Sequence, residues 1–275
     1  VDTRLAVLNI YQAHPPKAIE RDLQQLYQDN DSRIRVAAAD ATVAMFPDEV
    51  LRMTQMLLRG ETDEEKRGAY RLLAKDNGAE TQALLNDELD QLVANKIRPS
   101  LRLDVYEACS QRDPDMLQAL NADLNKDPMV GALVYAKAGG DPRNGALVFA
   151  NQGTCKKCHN VECSDEFDAG PSLEGVATRL SIDKLLESIV KPYVEVVPGY
   201  GIASITLTNG EIIAGTPLTE TDTHLTIKTA SQEPQRVAKT DIASRTPAVS
   251  PMPPMGAVLP KSDVRDLIAY LALLK

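Results

Sequence analysis

A chain of 275 residues has room for about two domains at roughly 150 residues each, and 43% hydrophobic with 25% charged residues is an ordinary globular composition with material for a sizeable core. A net charge of −9 and a pI near 5.0 weigh against a nucleic-acid surface, and 4% aromatics without Trp argue against a base- or sugar-stacking platform. No run approaches the roughly 18 to 20 apolar residues of a membrane span, and Val1–Ile10 lacks the basic start and apolar run of a secretion signal, as expected of a chain whose leader has been removed or of a piece of a longer one.

From residue 1 to about 138 the pattern predicts short amphipathic helices. They are broken at His14-Pro15-Pro16, Phe46-Pro47, Asp76-Asn77-Gly78, Arg98-Pro99, Asp113-Pro114 and Asp127-Pro128. The segments between carry apolar stripes, as Leu84, Leu85, Leu89, Leu92 and Val93 do at spacings of three and four. Four fragments look alike, those starting at Thr3, Ser32, Lys66 and Leu101. Their period, about 30 to 35 residues, is that of one helix pair. A single pair cannot bury its own apolar face, so pairs of this period stack into a solenoid. The fragments, with an Arg early in the inner helix (Arg4, Arg33, Arg67, Arg102), resemble HEAT-type repeats. Residues 1–139 are therefore expected to be a HEAT-like α-helical repeat domain, with an irregular helical bundle as the plainer alternative.

Ala138-Gly139-Gly140-Asp141-Pro142 marks the expected boundary, with Asp141 as the cap of the next helix and Pro142 in its first turn. Residues 143–152 and 181–190 read as helices, and Ser262 to Leu274 as a final one. Between about 201 and 245 the period switches to two. Ile205 and Leu207 alternate with polar residues, Asn209-Gly210 is a strong hairpin signal, and Leu225 and Ile227 alternate with His224 and Thr226. Four or five short strands inserted into a helical domain fit this pattern, and the fold class is mainly α.

Three of the four cysteines, Cys155, Cys158 and Cys163, fall within nine residues, while Cys109 stands alone. Residues 155–159 read Cys155-Lys156-Lys157-Cys158-His159, the attachment sequence of a c-type haem. Two thiols three apart match the two porphyrin vinyl groups, and the turn between them places the next side chain under the iron. His159 is then the proximal ligand, and Cys155 and Cys158 the thioether anchors. A zinc site would need two further ligands. Cys163 offers one, but no further Cys or His follows before His224.

Around this motif the sequence resembles a class I cytochrome c. Gly145 and Phe149 precede the motif, and Leu267, Ala269 and Tyr270 lie on the last predicted helix. The resemblance implies a tight crossing of those two helices with an aromatic packed between. Gly170-Pro171-Ser172-Leu173 is similar to the family's Gly-Pro-x-Leu loop, twelve residues after His159 at Pro171. That likeness implies that the Pro171 carbonyl accepts from the second nitrogen of His159, fixing its tautomer and raising its basicity. It also marks Leu173 as a haem-binding position. For the distal side, Met45, Met53, Met56, Met116 and Met129 lie in the helical repeats, where a core role is the default. Met252 and Met255 lie in the stiff segment Ser250-Pro251-Met252-Pro253-Pro254-Met255-Gly256. Met252, in the Met-Pro pair that the family uses, is the expected sulfur ligand, with Met255 the alternative.

Taken together, residues 140–275 resemble a bacterial family of haem-binding domains in which a cytochrome c fold is split by a β-insert. Members often follow helical repeats. The matching stretches include Leu186-Glu187-Ser188-Ile189 with Pro192, Pro198-Gly199-Tyr200, Asn209-Gly210, and Asp266 to Leu271. One departure is that Phe149 stands six residues before Cys155, where four is common in short cytochromes; the second is the extra distal Met.

Weaker candidates remain. His14 reads as a turn residue and His224 as a solvent-facing one. Arg179 and Tyr200 could bond the haem propionates or simply face solvent, Cys109 and Cys163 could pair in an oxidising compartment, and Lys156 and Lys157 could steer an acidic partner. With no carboxylate pair, nucleophile triad or phosphate loop evident, the expectation is a non-enzymatic, one-haem electron carrier. It would act as acceptor or relay for a periplasmic dehydrogenase or another cytochrome, in a bacterial extracytoplasmic compartment, with no nucleic acid and no membrane span. The alternative is a haem peroxidase or gas-binding sensor with a displaceable sixth ligand; a third reading is a repeat scaffold that the haem merely stabilises.

Overall fold

The computed structural model describes residues 2–13, 20–161, 169–231 and 233–275. The chain divides into two compact units, Val1–Lys126 and Asp127–Lys275. It is mainly helical, with one five-stranded antiparallel sheet among the described residues.

In the first unit the helices follow the predicted punctuation. They are α1 (Asp2–Ala13), α2 (Glu20–Leu26), α3 (Ser32–Met45), α4 (Val50–Arg59), α5 (Asp63–Lys75), α6 (Ala79–Val93), α7 (Arg102–Arg112) and α8 (Gln118–Leu124). Pro47, Pro99 and Pro114 each open a 3-10 turn, because proline disfavours helix in the residue before it yet fits a first turn. A capping box starts α5: the Thr62 hydroxyl accepts from the Glu65 N–H, and the Glu65 carboxylate accepts from the Thr62 N–H.

The four look-alike fragments lie on α1, α3, α5 and α7, which pack successively against one another while α2, α4 and α6 pack beside them. Ile34, Ala38 and Ala41 on α3 bury against Leu8 and Leu23, and Val36 and Ala39 against Met53, Leu57 and Ala69. Small residues on α3 let two sets of neighbours approach it closely. An arginine ladder joins successive layers: Arg4 pairs with Asp29, Arg35 with Glu65 at 2.7 Å, and Arg67 with Asp104 at 3.2 Å. In α3 the rung is Arg35 and not the aligned Arg33, because Arg33 folds back on its own cap residue Asp31 at 2.7 Å.

The second unit begins earlier than the 139/140 boundary read from the Gly-Gly-Asp-Pro signal. Gly131–Lys137 forms a 3-10 segment whose Leu133 and Ala136 are buried, and it packs against the last helix of the chain. Lys191 pairs with Asp127, and Lys137 with Asp183 at 2.8 Å. Gly139-Gly140 is thus a bend inside this unit.

The helices of the second unit are α9 (Pro142–Ala150), α10 (Val176–Arg179), α11 (Ile182–Val190) and α12 (Lys261–Leu271). The strands are β1 (Ala203–Leu207), β2 (Ile212–Glu220), β3 (His224–Lys228), β4 (Pro234–Ala238) and β5 (Ile242–Arg245), in the order β4-β3-β2-β1-β5. Asn209-Gly210 makes the β1–β2 turn, with Gly210 at φ 86°, a conformation open to glycine at little cost. Ile205, Leu225, Ile227 and Val237 form the sheet's own core, so alternation in the sequence set its inner face.

The tightest packing joins α9 to α12. A Cβ on Gly145 would overlap the Asp266 carbonyl and lie 2.7 Å from Tyr270 Cβ, so only glycine permits this crossing. The Phe149 and Tyr270 rings meet at 5.6 Å between centroids. Asp266 accepts from the Asp141 N–H at 2.8 Å and from Asn144 Nδ2 at 2.7 Å, tying the start of α9 to α12.

Candidate functional site

The site begins where α9 ends. Gly153 N–H donates to the Val148 carbonyl at 2.8 Å, and Thr154 adopts a left-handed conformation (φ 49°, ψ 22°). That reversal launches a 3-10 turn at Cys155–Lys157, in which the amides of Cys158 and His159 donate to the Cys155 carbonyl at 3.0 and 2.9 Å. A helical turn is what brings side chains three apart to one side. Cys155 and Cys158 are both free thiols; Cys155 is half-buried and Cys158 exposed. Burial pushes the Cys155 thiol above its ordinary value, so it is held as S–H.

His159 Nδ1 lies 2.8 Å from the Pro171 carbonyl oxygen. A carbonyl can only accept, so the ring proton sits on Nδ1 and the lone pair is on Nε2. The loop that supplies this carbonyl is seated on the motif. Gly170 is buried beneath the ring, and a Cβ there would stand 2.9 Å from His159 Cε1 and from the Cys158 carbonyl. The Leu173 N–H donates to the Asn160 carbonyl at 2.9 Å. Cys155, Cys158, His159, Pro171 and Leu173 are therefore brought into one connected cluster.

The distal candidates separate. Met255 is buried at 6% exposure in a 3-10 turn (Met255–Ala257), and a Cβ on the adjacent Gly256 would press on Leu133 and Val190. Met252 is only half-buried, and its N–H donates to the Ser250 hydroxyl at 3.2 Å. Met255 thus packs into the core, whereas Met252 is partly exposed. Both lie on the segment that leads into α12, the helix locked to α9.

Other sequence candidates fall elsewhere. His224, at the start of β3, has its Nδ1 2.8 Å from the Thr223 hydroxyl, and Tyr200 forms a backbone turn with Val197. Cys109 is buried in α7, where burial pushes its thiol up to about 12. Its suggested partner Cys163 and the turn residue His14 lie outside the described residues. Met53 is fully buried, as a core filler should be. Sequence reasoning missed the tethers on the Pro171 loop, above all Arg179, whose Nη2 donates to the Ser172 and Glu174 carbonyls at 3.1 and 2.9 Å. Only its closeness in sequence to that loop hinted at this.

The donor set is two thiols three apart plus an imidazole with a free Nε2 lone pair, and it fits covalent attachment and axial ligation of a haem. It does not by itself fit a closed zinc tetrad: among the described residues no three His, Cys, Asp or Glu side chains gather as a metal site. No helix among them is long and apolar enough to cross a membrane. No protein-family model matches the chain, and no curated protein matches it.

Proposed function

We propose that this chain is a mono-haem c-type cytochrome that transfers single electrons. The observation that carries the reading is the 2.8 Å contact from His159 Nδ1 to the Pro171 carbonyl, made by the imidazole that follows two thiols three apart. In this reading Cys155 and Cys158 would hold the haem covalently, each adding its S–H across one vinyl group. Each addition would form a C–S bond and place the hydrogen on the other vinyl carbon, so no external oxidant would be required. His159, through Nε2, and Met252, through its sulfur, would hold the iron, with Met255 the alternative to Met252, and Leu173 would contribute to the haem-binding surface. Haem c, when bound, supplies a reversible one-electron ferric/ferrous couple. The Pro171 carbonyl polarises the Nδ1–H bond and makes Nε2 a stronger donor, and a methionine sulfur as the second ligand would favour the reduced form.

Residues 140–275 are then a class I cytochrome c-like domain with a β-insert, and the stacked helices before them a HEAT-like solenoid that docks a partner. The partner class is a dehydrogenase or another cytochrome, in a bacterial periplasm where haem is attached to thiols. The docking role rests on architecture alone.

Expression with a c-type haem assembly system tests the reading. The intact mass should exceed the polypeptide by one haem, and the ferric spectrum should be low-spin with the weak red band of a sulfur–iron bond. Met252→Ala should abolish that band and Met255→Ala keep it; the reverse names Met255, and loss in neither discards a methionine ligand. A colourless product of bare polypeptide mass overturns the whole reading. A high-spin spectrum that shifts at once with carbon monoxide or cyanide would instead make the chain a sensor or peroxidase.

A further inference from the structure

Between Gly170 and Gly175 the chain has no regular secondary structure, so the position of the Pro171 carbonyl depends on tethers. On its upstream side Gly170 is wedged under the His159 ring. On its downstream side the backbone carbonyls of Ser172 and Glu174 both accept from Arg179 Nη2, at 3.1 and 2.9 Å. A guanidinium Nη carries two N–H groups, and two acceptors account for both. The arginine has a firm base, because the neighbouring Ala177 N–H donates to the Leu274 carbonyl at 2.9 Å and so fixes α10 to the chain just beyond α12. Without the clamp, the loop could pivot at Gly175, whose φ of 62° already marks a reversal.

We propose that Arg179 is a positioning residue: by clamping the Ser172 and Glu174 carbonyls it holds the Pro171 oxygen on His159 Nδ1 and thereby sets the donor strength of Nε2. The inference rests on His159 being the proximal ligand. It places the directed N–H groups of Arg179 on the loop backbone, where the sequence had offered haem propionates. Arginine suits the task because one planar group serves two carbonyls at once, whereas a lysine ammonium on a flexible stem holds such a pair less rigidly. Arg179 itself is exposed, so its replacement removes the clamp without opening the core.

The test uses Arg179→Ala and Arg179→Lys in the full chain, first without haem. Removing the clamp should accelerate hydrogen exchange of the Leu173 amide about tenfold, the size of one lost charge-assisted hydrogen bond. The side-chain nitrogen shifts of His159 should move from the Nδ1–H toward the Nε2–H tautomer. Arg179→Lys should recover part of both. In the haem-loaded protein the midpoint potential should rise, since a weaker imidazole donor stabilises ferric iron less, and the Nδ1 proton should exchange faster with solvent. A shifted potential with unchanged Leu173 protection and unchanged Nδ1 exchange would mean that Arg179 acts on the haem carboxylates, and would overturn the proposal. So would wild-type values throughout. Failure to take up haem would overturn the cytochrome reading alone, because the haem-free measurements still report on the clamp.

Discussion

In the first unit the arginine ladder joins residues 25 to 37 positions apart, from Arg4–Asp29 to Arg67–Asp104, whereas in the second the cap of α9 is tied to Asp266 from 125 positions away. Loop-closure entropy grows by about 0.6 kcal/mol for each doubling of the span, so the longer closure costs only about 1.2 kcal/mol more than a ladder rung. The larger difference lies in what each contact carries. A rung joins one helix layer to the next, and its loss is felt locally. The α9–α12 crossing holds the two ends of its unit together, and the Cys155–His159 turn is the direct continuation of α9. The candidate site therefore depends on a contact that spans most of its unit.

The largest expected effect breaks that crossing. Gly145→Val drives a branched side chain into the Asp266 carbonyl and should cost about 3 kcal/mol or more. Urea unfolding followed by far-UV ellipticity measures it. A loss under about 1 kcal/mol would show that the crossing is not what closes the unit.

A smaller effect tests the ladder. The Arg35 guanidinium, aided by Thr62, holds the Glu65 carboxyl at about 2, below its ordinary 4.5. A depressed folded-state value means that the charge stabilises above pH 4.5 and that this share is lost as pH falls toward 2. Glu65→Gln should thus cost about 1 to 2 kcal/mol at pH 7, and the gap from the native protein should close between pH 4.5 and 2. A gap that persists at pH 2 would assign the effect to packing against Gly60 and not to charge.

The smallest effect is local to the site. Thr154 is a β-branched residue at φ 49°, and Thr154→Gly relieves that strain while loosening the unfolded chain. A net gain of about 0.5 kcal/mol is expected in thermal unfolding. A loss would show that the threonine side chain holds the turn in some other way.

Much was legible in the chain itself, because some signals are local and covalent in origin. Proline cannot continue a helix from its own amide, so Pro47, Pro99 and Pro114 announce their turns wherever they are packed. Asn209-Gly210 tolerates positive φ, and a period of two assigns Leu225 and Ile227 to one face. The spacing of Cys155, Cys158 and His159 is likewise a property of the chain, and so is the interval to Pro171. Other features required three dimensions. Whether Arg33 or Arg35 reaches the next layer depended on Asp31 capturing the first. That Gly139-Gly140 is a bend and not a boundary depended on Leu133 and Ala136 finding cover against α12. Met252 and Met255 differ in burial in a way their shared proline-rich segment does not announce, and only the fold brings the Ser172 and Glu174 carbonyls within reach of Arg179 Nη2. Backbone stereochemistry acts over a few residues and can be read along the chain; the choice among equally suited side chains is made by which partners folding brings near.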